Sequence, residues 1–306
     1  MSFTVTLTTV LVMLAYTIPG YLLVRSGKIP PQSISSFAAT LLYLCAPFQT
    51  LYAMQQIELS AYMIRHLVLS MALGLFLMGM MLAIVYLMLR RHQREVACRI
   101  CTVAAAMGNC GFMGLPLLQA LMPDYPQSVA FAAAFFFSMT ILMWTVVSFI
   151  ITRDRRYISL KKVFLNPNTI GMAVSLLLFF GGIHLTGQVG GMVELLSRMA
   201  TPLCMLILGM RLACIRIRSM FTGRLQYLAI GIKLIAFPLF ALAVCSLLPV
   251  ERQYVRTIYI ICCVPVGNLV LSFAELLGEG QDVAANVVLL STFLSMLTIP
   301  LMLLII

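Results

Sequence analysis

Charged residues are scarce in this sequence. Only 9% of the 306 residues are Asp, Glu, Lys or Arg, whereas 62% are hydrophobic, and the mean hydropathy is +1.05. A soluble domain carries about 25% charged residues, so this composition excludes a water-soluble surface. Apolar runs fill nearly the whole chain and leave no room for a separate soluble domain. The sequence therefore predicts a single all-α integral membrane domain.

The sequence also lacks the motifs of enzymes and of metal centres. It contains no P-loop, no G-x-S-x-G elbow, no H-E-x-x-H helix and no pair of Asp residues inside an apolar run. Cys98 and Cys101 form a C-x-x-C pair, but no second pair and no nearby His completes a zinc site. We therefore expect no enzymatic activity, no metal and no cofactor.

Ten apolar runs follow one another along the chain, and about 20 residues suffice to cross a bilayer as a helix. Residues 1–4 lack the basic segment of a secretory signal, so we expect the first run to remain in the mature protein. The predicted spans are 3–24, 32–53, 63–89, 97–121, 129–152, 166–185, 192–213, 225–248, 253–277 and 283–306.

Basic residues in the connections predict the orientation. When the connections are assigned alternately to two sides, fifteen Lys and Arg fall on one side and four on the other. The positive-inside rule makes the first side cytoplasmic, which predicts a multi-pass protein of the cell membrane with both termini outside. Because these residues are scattered, the net charge of +11 indicates topology and contact with membrane lipid, not a nucleic-acid partner. The fifteen are Arg25, Lys28, Arg90, Arg91, Arg94, Arg99, Arg153, Arg155, Arg156, Lys161, Lys162, Arg211, Arg216, Arg218 and Arg224; the four are Arg65, Arg198, Arg252 and Arg256.

The ten spans divide into two sets of five that share landmarks. The second span of each set contains a proline, Pro47 in one and Pro202 in the other. The fourth span of each set contains an Asn and a Pro close together. An odd number of crossings in each set forces opposite orientations. We therefore predict two inverted repeats, residues 1–152 and 166–306, joined by a basic cytoplasmic linker at 153–165.

The segment 107–116, MGNCGFMGLP, is the most informative part of the chain. Inside a helix Gly costs about 1 kcal/mol and Pro about 3 kcal/mol, and lipid offers no partners for freed backbone groups. We therefore predict a broken helix that lines a hydrated cavity, and a second break at 264–268, VPVGN. A simple kink at each break is the alternative interpretation.

Two breaks that meet at mid-membrane would form an anion site. The N-termini of the half-helices carry positive partial charge, and the side chains of Asn109 and Asn268 add hydrogen-bonding groups. Gly111 and Gly267 belong to the same breaks. Secondary candidates are Gln49, which follows Pro47, and Ser272, which lies one helical turn beyond Asn268.

The run Asn109–Pro116 resembles the N-x-G-F-x-G-x-P signature of the auxin efflux carrier family, which includes plant auxin transporters and bacterial dicarboxylate carriers. Further similarities cover nearly the whole chain: Leu165–Asn168 (LNPN), Thr201–Leu203 (TPL) with Leu208–Ala213 (LGMRLA), and Ser291 and Thr292 with Pro300. The chain lacks the long cytoplasmic loop of many plant members, which argues against auxin itself as the substrate.

This resemblance implies ten helices in two inverted five-helix repeats, similar to bile-acid transporters and sodium/proton antiporters, with the fourth and ninth helices broken and crossing. A scaffold part and a transport part would move against one another in an elevator-like cycle. The resemblance also implies that Gly114, Pro116 and Pro265 mark the crossing and that Asn109 and Asn268 touch the substrate carboxylate.

We therefore expect a secondary transporter of a small organic anion, a mono- or dicarboxylate. A channel-like anion pore and a non-transporting membrane sensor are the alternatives. The sequence leaves open whether sodium or protons drive transport, in which direction it runs, and whether the protein forms a homodimer.

Three charged residues have candidate roles. Lys233 lies inside the eighth predicted span, where it serves the substrate or a gate, snorkels to the cytoplasmic surface, or forms an ion pair. Arg211 ends the seventh span as a topological anchor and is a candidate ion-pair partner of Glu275. We interpret Glu275, with Glu279 and Asp282, as part of a solvated loop. No Asp or Glu falls at either break, so the acidic site of a sodium/proton antiporter is not expected.

Overall fold

A computed structural model describes residues 3–214 and 223–306. Arg216 and Arg218, which the sequence assigns to the cytoplasmic side, lie outside the described residues, as do residues 1 and 2. Within the described ranges the chain is helical, and its β-structure consists of one isolated antiparallel bridge between Gly108 and Val266.

Seven helices are long and apolar enough to cross a membrane, so the chain is a multi-pass membrane protein. Each coincides with a predicted span to within a few residues. Large apolar side chains stay exposed on their outer faces, as lipid contact requires; Leu22, Phe76 and Leu297 are examples. The seven are α1 (Leu7–Arg25), α2 (Pro31–Gln55), α3 (Ala61–Met88), α6 (Gln127–Thr152), α8 (Gly187–Cys214), α9 (Arg224–Ser246) and α12 (Gln281–Ile305).

The three remaining predicted spans are not single long helices. The predicted span 166–185 is a shorter helix, α7 (Pro167–Phe180), because Gly181 ends it and Gly182 adopts a positive φ of 63°. The predicted spans 97–121 and 253–277 are each two half-helices. These are α4 (Val96–Ala104) and α5 (Cys110–Leu121), then α10 (Arg252–Cys263) and α11 (Asn268–Leu277).

Three helices contain a π-turn directly before a proline. Proline removes the N–H that would bond to the carbonyl four residues earlier, and its ring clashes with that carbonyl. A wider π-turn accommodates the clash and leaves carbonyl groups open, which is why such turns are frequent at functional sites. The pairs are Leu41–Cys45 with Pro47, Cys110–Gly114 with Pro116, and Ile232–Ala236 with Pro238.

The helices pack in two groups. In the first group α1 crosses α8, and α2 packs against α7 and α8. A side chain at Gly209 would collide with the backbone of Thr17, so the α1–α8 crossing requires glycine there. In the second group α3 packs against α6, and α9 packs against α12 and α4. The interrupted helices lie between these groups, with α5 against α1 on one side and α6 on the other.

Candidate functional site: a crossing of two interrupted helices

The two unwound segments cross and hydrogen-bond to each other. The N–H of Asn109 donates to the carbonyl of Pro265 at 2.7 Å, and the N–H of Gly267 donates to the carbonyl of Met107 at 3.0 Å. These bonds satisfy backbone groups that lipid would leave unpaired. The breaks that the sequence predicts at 107–116 and 264–268 are therefore neighbours.

Glycine makes this close approach feasible. A Cβ atom at Gly267 would lie 2.7 Å from the carbonyl oxygen of Gly108, closer than real contacts allow. A Cβ atom at Gly114 would collide with the side chain of Ile261 on α10. Gly267 and Gly114 thus have a packing role at the crossing, and Pro265 supplies a carbonyl acceptor.

The starts of α5 and α11 converge on one side chain of α8. Asn109 immediately precedes α5, and Asn268 is the first residue of α11. Asn268 Nδ2 donates to the thiol sulfur of Cys204 at 3.0 Å, and the side chain of Asn109 lies close to the same sulfur. Cys204 is fully buried, and Asn268 Oδ1 is buried without a partner among the described residues. The two predicted amides therefore meet, and one of them keeps hydrogen-bonding capacity.

Carbonyl groups of the π-turn in α5 receive hydrogen bonds from two other helices. Gln49 Nε2 of α2 donates to the carbonyl of Gly111 at 3.1 Å, and Thr201 Oγ1 of α8 donates to the carbonyl of Phe112 at 3.1 Å. Phe112 lies four residues before Pro116, so its carbonyl lacks the donor that an α-helix would normally supply. Both donors are buried.

Two cavities approach this π-turn from different directions. The first, about 750 Å³, is lined by Gln49, Pro116 and Thr201. The second, about 370 Å³, is lined by Phe112, Asn168 and Ser272. They share no lining residue. Gln49 and Thr201 of the first cavity are thus bonded to the α5 backbone at Gly111 and Phe112, and Phe112 lines the second cavity.

Lys233 does not snorkel. Its side chain is fully buried, and its Nζ donates to the carbonyl of Cys262 at 2.7 Å. The ammonium also lies 4.7 Å from the centre of the Phe237 ring. The snorkelling interpretation is wrong because the π-turn of α9 and the end of α10 enclose the side chain within the protein.

Two carboxylates assigned to a solvated loop are in ion pairs. Glu275 accepts from both terminal nitrogens of Arg211, the second at 3.0 Å. Glu279 pairs with Arg99 at 3.1 Å. Both carboxylates keep about two-fifths of their side-chain surface exposed, at 44% and 38%. The loop is therefore bound to α8 and α4, and only Asp282 fits the solvated interpretation, since it is exposed.

Ser272 lies on α11, four residues after Asn268. It lines the second cavity and a small space of about 20 Å³ shared with Asn268 and Arg211. Sequence reasoning missed Cys204, because one cysteine in an apolar run carries no local signal. It also assigned no contact to Thr201 or Asn168, although both belong to motifs noted in the sequence. Asn168 accepts from Thr50 at 3.0 Å and thereby joins α7 to α2.

The model of a family described as membrane transport protein matches residues 5–161 and residues 151–303, which together span nearly the whole chain. A search of curated proteins found no match.

Proposed function

The chain belongs to the auxin efflux carrier family of membrane transport proteins, and we propose from this premise that it is a secondary transporter of a small organic anion, a mono- or dicarboxylate. The observation that carries the proposal is the convergence of two half-helix starts and two Asn amides on Cys204.

We propose ten crossings in two inverted repeats, 1–152 and 166–306, with the linker at 153–165. The packing supports this arrangement. If the halves are exchanged, the α1–α8 contact maps onto the α7–α2 contact, and the α3–α6 contact maps onto the α9–α12 contact. The repeated match of one family model also supports it. Both termini then lie outside the cytoplasm, in the cell membrane, by the distribution of basic residues.

The anion is proposed to bind beside Asn109 and Asn268. The first N–H groups of a helix have no partner within the helix and carry positive partial charge. Two such ends therefore attract a carboxylate at one point, as helix N-termini do for anions in general. The amide groups of Asn109 and Asn268 replace part of its hydration shell.

Gln49 and Thr201 suggest how access alternates. They belong to α2 and α8, whereas the carbonyls that they bind belong to α5. A substrate carboxylate offers two oxygen acceptors and can take the place of those two carbonyls. We propose that α1, α2, α7 and α8 form the scaffold and that the crossing moves past them in an elevator-like cycle, which breaks these bonds. The separation of the two cavities favours this carrier over a continuous pore.

The test is flux in proteoliposomes. Purified protein is first screened by thermal shift against acetate, malonate and succinate, and a stabilising acid is then used as the labelled substrate. We expect saturable uptake that an internal pool of the same acid stimulates. Asn109→Ala and Asn268→Ala should abolish uptake while leaving the protein folded, and Asn109→Asp should do the same by charge repulsion.

Two outcomes would contradict the proposal. Unsaturable, electrogenic flux would indicate a pore. Normal uptake by both alanine variants would place the substrate elsewhere. Gly79→Ala is the matched control, because nothing lies within 4 Å of a Cβ atom at that position, and it should transport normally.

A further inference from the structure

Lys233 is a fully buried cation that lines none of the cavities described above. In the part of the chain that the structure describes, no carboxylate forms an ion pair with it. Its described contacts are a carbonyl oxygen, that of Cys262, and an aromatic face, that of Phe237. Both are groups that stabilise positive charge. The lysine is therefore placed as a cation and away from the proposed anion.

The carbonyl that Lys233 binds belongs to an open helix end. α10 ends at Cys263 because Val264 is extended and Pro265 follows. The last carbonyls of a helix have no intrahelical donor and carry negative partial charge. One of them, that of Ile261, accepts from the weakly donating thiol of Cys110 at 3.7 Å. Inside a membrane, such half-helix ends are where transporters coordinate a mobile cation.

The ammonium of Lys233 also lies against the crossing of the two interrupted helices. A Cβ atom at Gly108 would lie 3.1 Å from Lys233 Cε and 3.2 Å from Nζ. The amine thus lies directly against the backbone of the unwound segment that precedes α5. A second cation at the same place would meet both this contact and the charge of the lysine.

We infer that Lys233 is a built-in cation that occupies the place at which a mobile cation would bind the end of α10, so that transport by this chain requires no sodium. The inference concerns which ions drive the proposed transporter, and only its flux test depends on the proposed function. Its first three tests measure stability alone.

The first test compares wild-type protein in sodium chloride and in choline chloride. Because the site is already filled, the unfolding temperature should be the same in both salts. A saturable, sodium-specific rise for the wild type would overturn the inference, since anything that binds the folded state raises its stability.

The second test empties the site. Lys233→Ala removes three carbons and the nitrogen, which are the heavy atoms of propylamine. We expect a lower unfolding temperature and a saturable recovery with propylammonium but not with propanol. Lys161→Ala, at an exposed lysine, is the control and should not respond. A folded Lys233→Ala protein that neither propylammonium nor sodium stabilises would contradict the inference.

A third comparison covers the case in which Lys233→Ala does not fold. Lys233→Arg keeps the charge, and Lys233→Met keeps an unbranched chain without charge. The arginine variant should be the more stable of the two. A methionine variant as stable as the wild type would overturn the inference.

The flux test uses labelled succinate, or the acid chosen by the thermal screen. Wild-type uptake should persist when choline replaces sodium on both sides of the membrane. Uptake that requires sodium would overturn the inference, whereas no uptake in either salt would count against the proposed function and leave the three stability tests to decide on Lys233.

Discussion

Replacing Gly267 by alanine should disrupt the crossing of the two interrupted helices. The new methyl group would lie 2.7 Å from the carbonyl oxygen of Gly108 and 3.0 Å from its carbon. Both are backbone atoms, so the segments must move apart. The hydrogen bonds from Asn109 to Pro265 and from Gly267 to Met107 span this gap and would lengthen.

The magnitude follows from these two bonds. A buried polar group left without a partner costs about 1–3 kcal/mol, so two lost bonds cost roughly 2–6 kcal/mol. The φ of −74° at Gly267 suits alanine. Alanine also lowers the entropy of the unfolded chain relative to glycine, which offsets about 0.4–1 kcal/mol of this loss. We therefore expect the free energy of unfolding to fall by about 1–6 kcal/mol.

The assay is reversible unfolding in mixed micelles titrated with a denaturing detergent. The control is Gly79→Ala in α3, where nothing lies within 4 Å of the new atom and where alanine gains up to about 1 kcal/mol of helix propensity. If Gly267→Ala unfolded at the same detergent fraction as Gly79→Ala, the close backbone approach would not hold the crossing together, and the reasoning would fail.

Three further predictions concern other contacts. Thr201→Val should lower the free energy of unfolding by about 1–3 kcal/mol, because the Phe112 carbonyl loses its donor; Thr201→Ser should be near wild type, and equal losses in both variants would contradict this. Burial raises the pKa of Tyr125, in the loop before α6, to about 12 from its usual value of 10.0. Unfolding then exposes a phenol that ionises more readily, so stability should decline from about pH 10 to about pH 12. Tyr125→Phe should show a shallower decline in the same pH titration. Arg211→Gln and Glu275→Gln should show a coupling of about 0.2–1 kcal/mol in a double-mutant cycle, as expected for a pair that is partly exposed; strictly additive effects would mean that the pair contributes nothing.

The sequence predicts the apolar runs and the two breaks because both have strong local signatures. A run of about 20 apolar residues has few alternatives to a membrane helix. A regular helix is also disfavoured by a segment rich in glycine that ends in proline, whatever surrounds it. The first break is such a segment, with Gly108, Asn109, Gly111, Gly114 and Pro116. The shortened α7 is visible in the same way, through Gly181 and Gly182, although the predicted span ran past them.

The position of Lys233 could not be predicted from local pattern. The distance of a residue from the end of its predicted span describes a straight helix in lipid, and on that basis the amine reaches toward the surface. Whether it does depends on the π-turn at Ile232–Ala236 and on the carbonyl of Cys262, which accepts from Lys233 and comes from a segment about 30 residues away. The role of Cys204 could not be predicted for the same reason, because its contacts are with two Asn side chains from other parts of the chain.

At the crossing, the starts of helices and the ends of helices lie on different sides. Toward α8, the starts of α5 and α11 meet at Cys204 with Asn109 and Asn268. Toward α9, the end of α10 faces the ammonium of Lys233. Helix starts carry positive partial charge and helix ends carry negative partial charge. A fixed cation on the second side offsets the negative ends there, and the positive ends on the first side remain available. The anion that we propose at Asn109 and Asn268 would then be attracted by helix starts whose positive charge the end of α10 does not cancel, and Lys233 would act on it only indirectly.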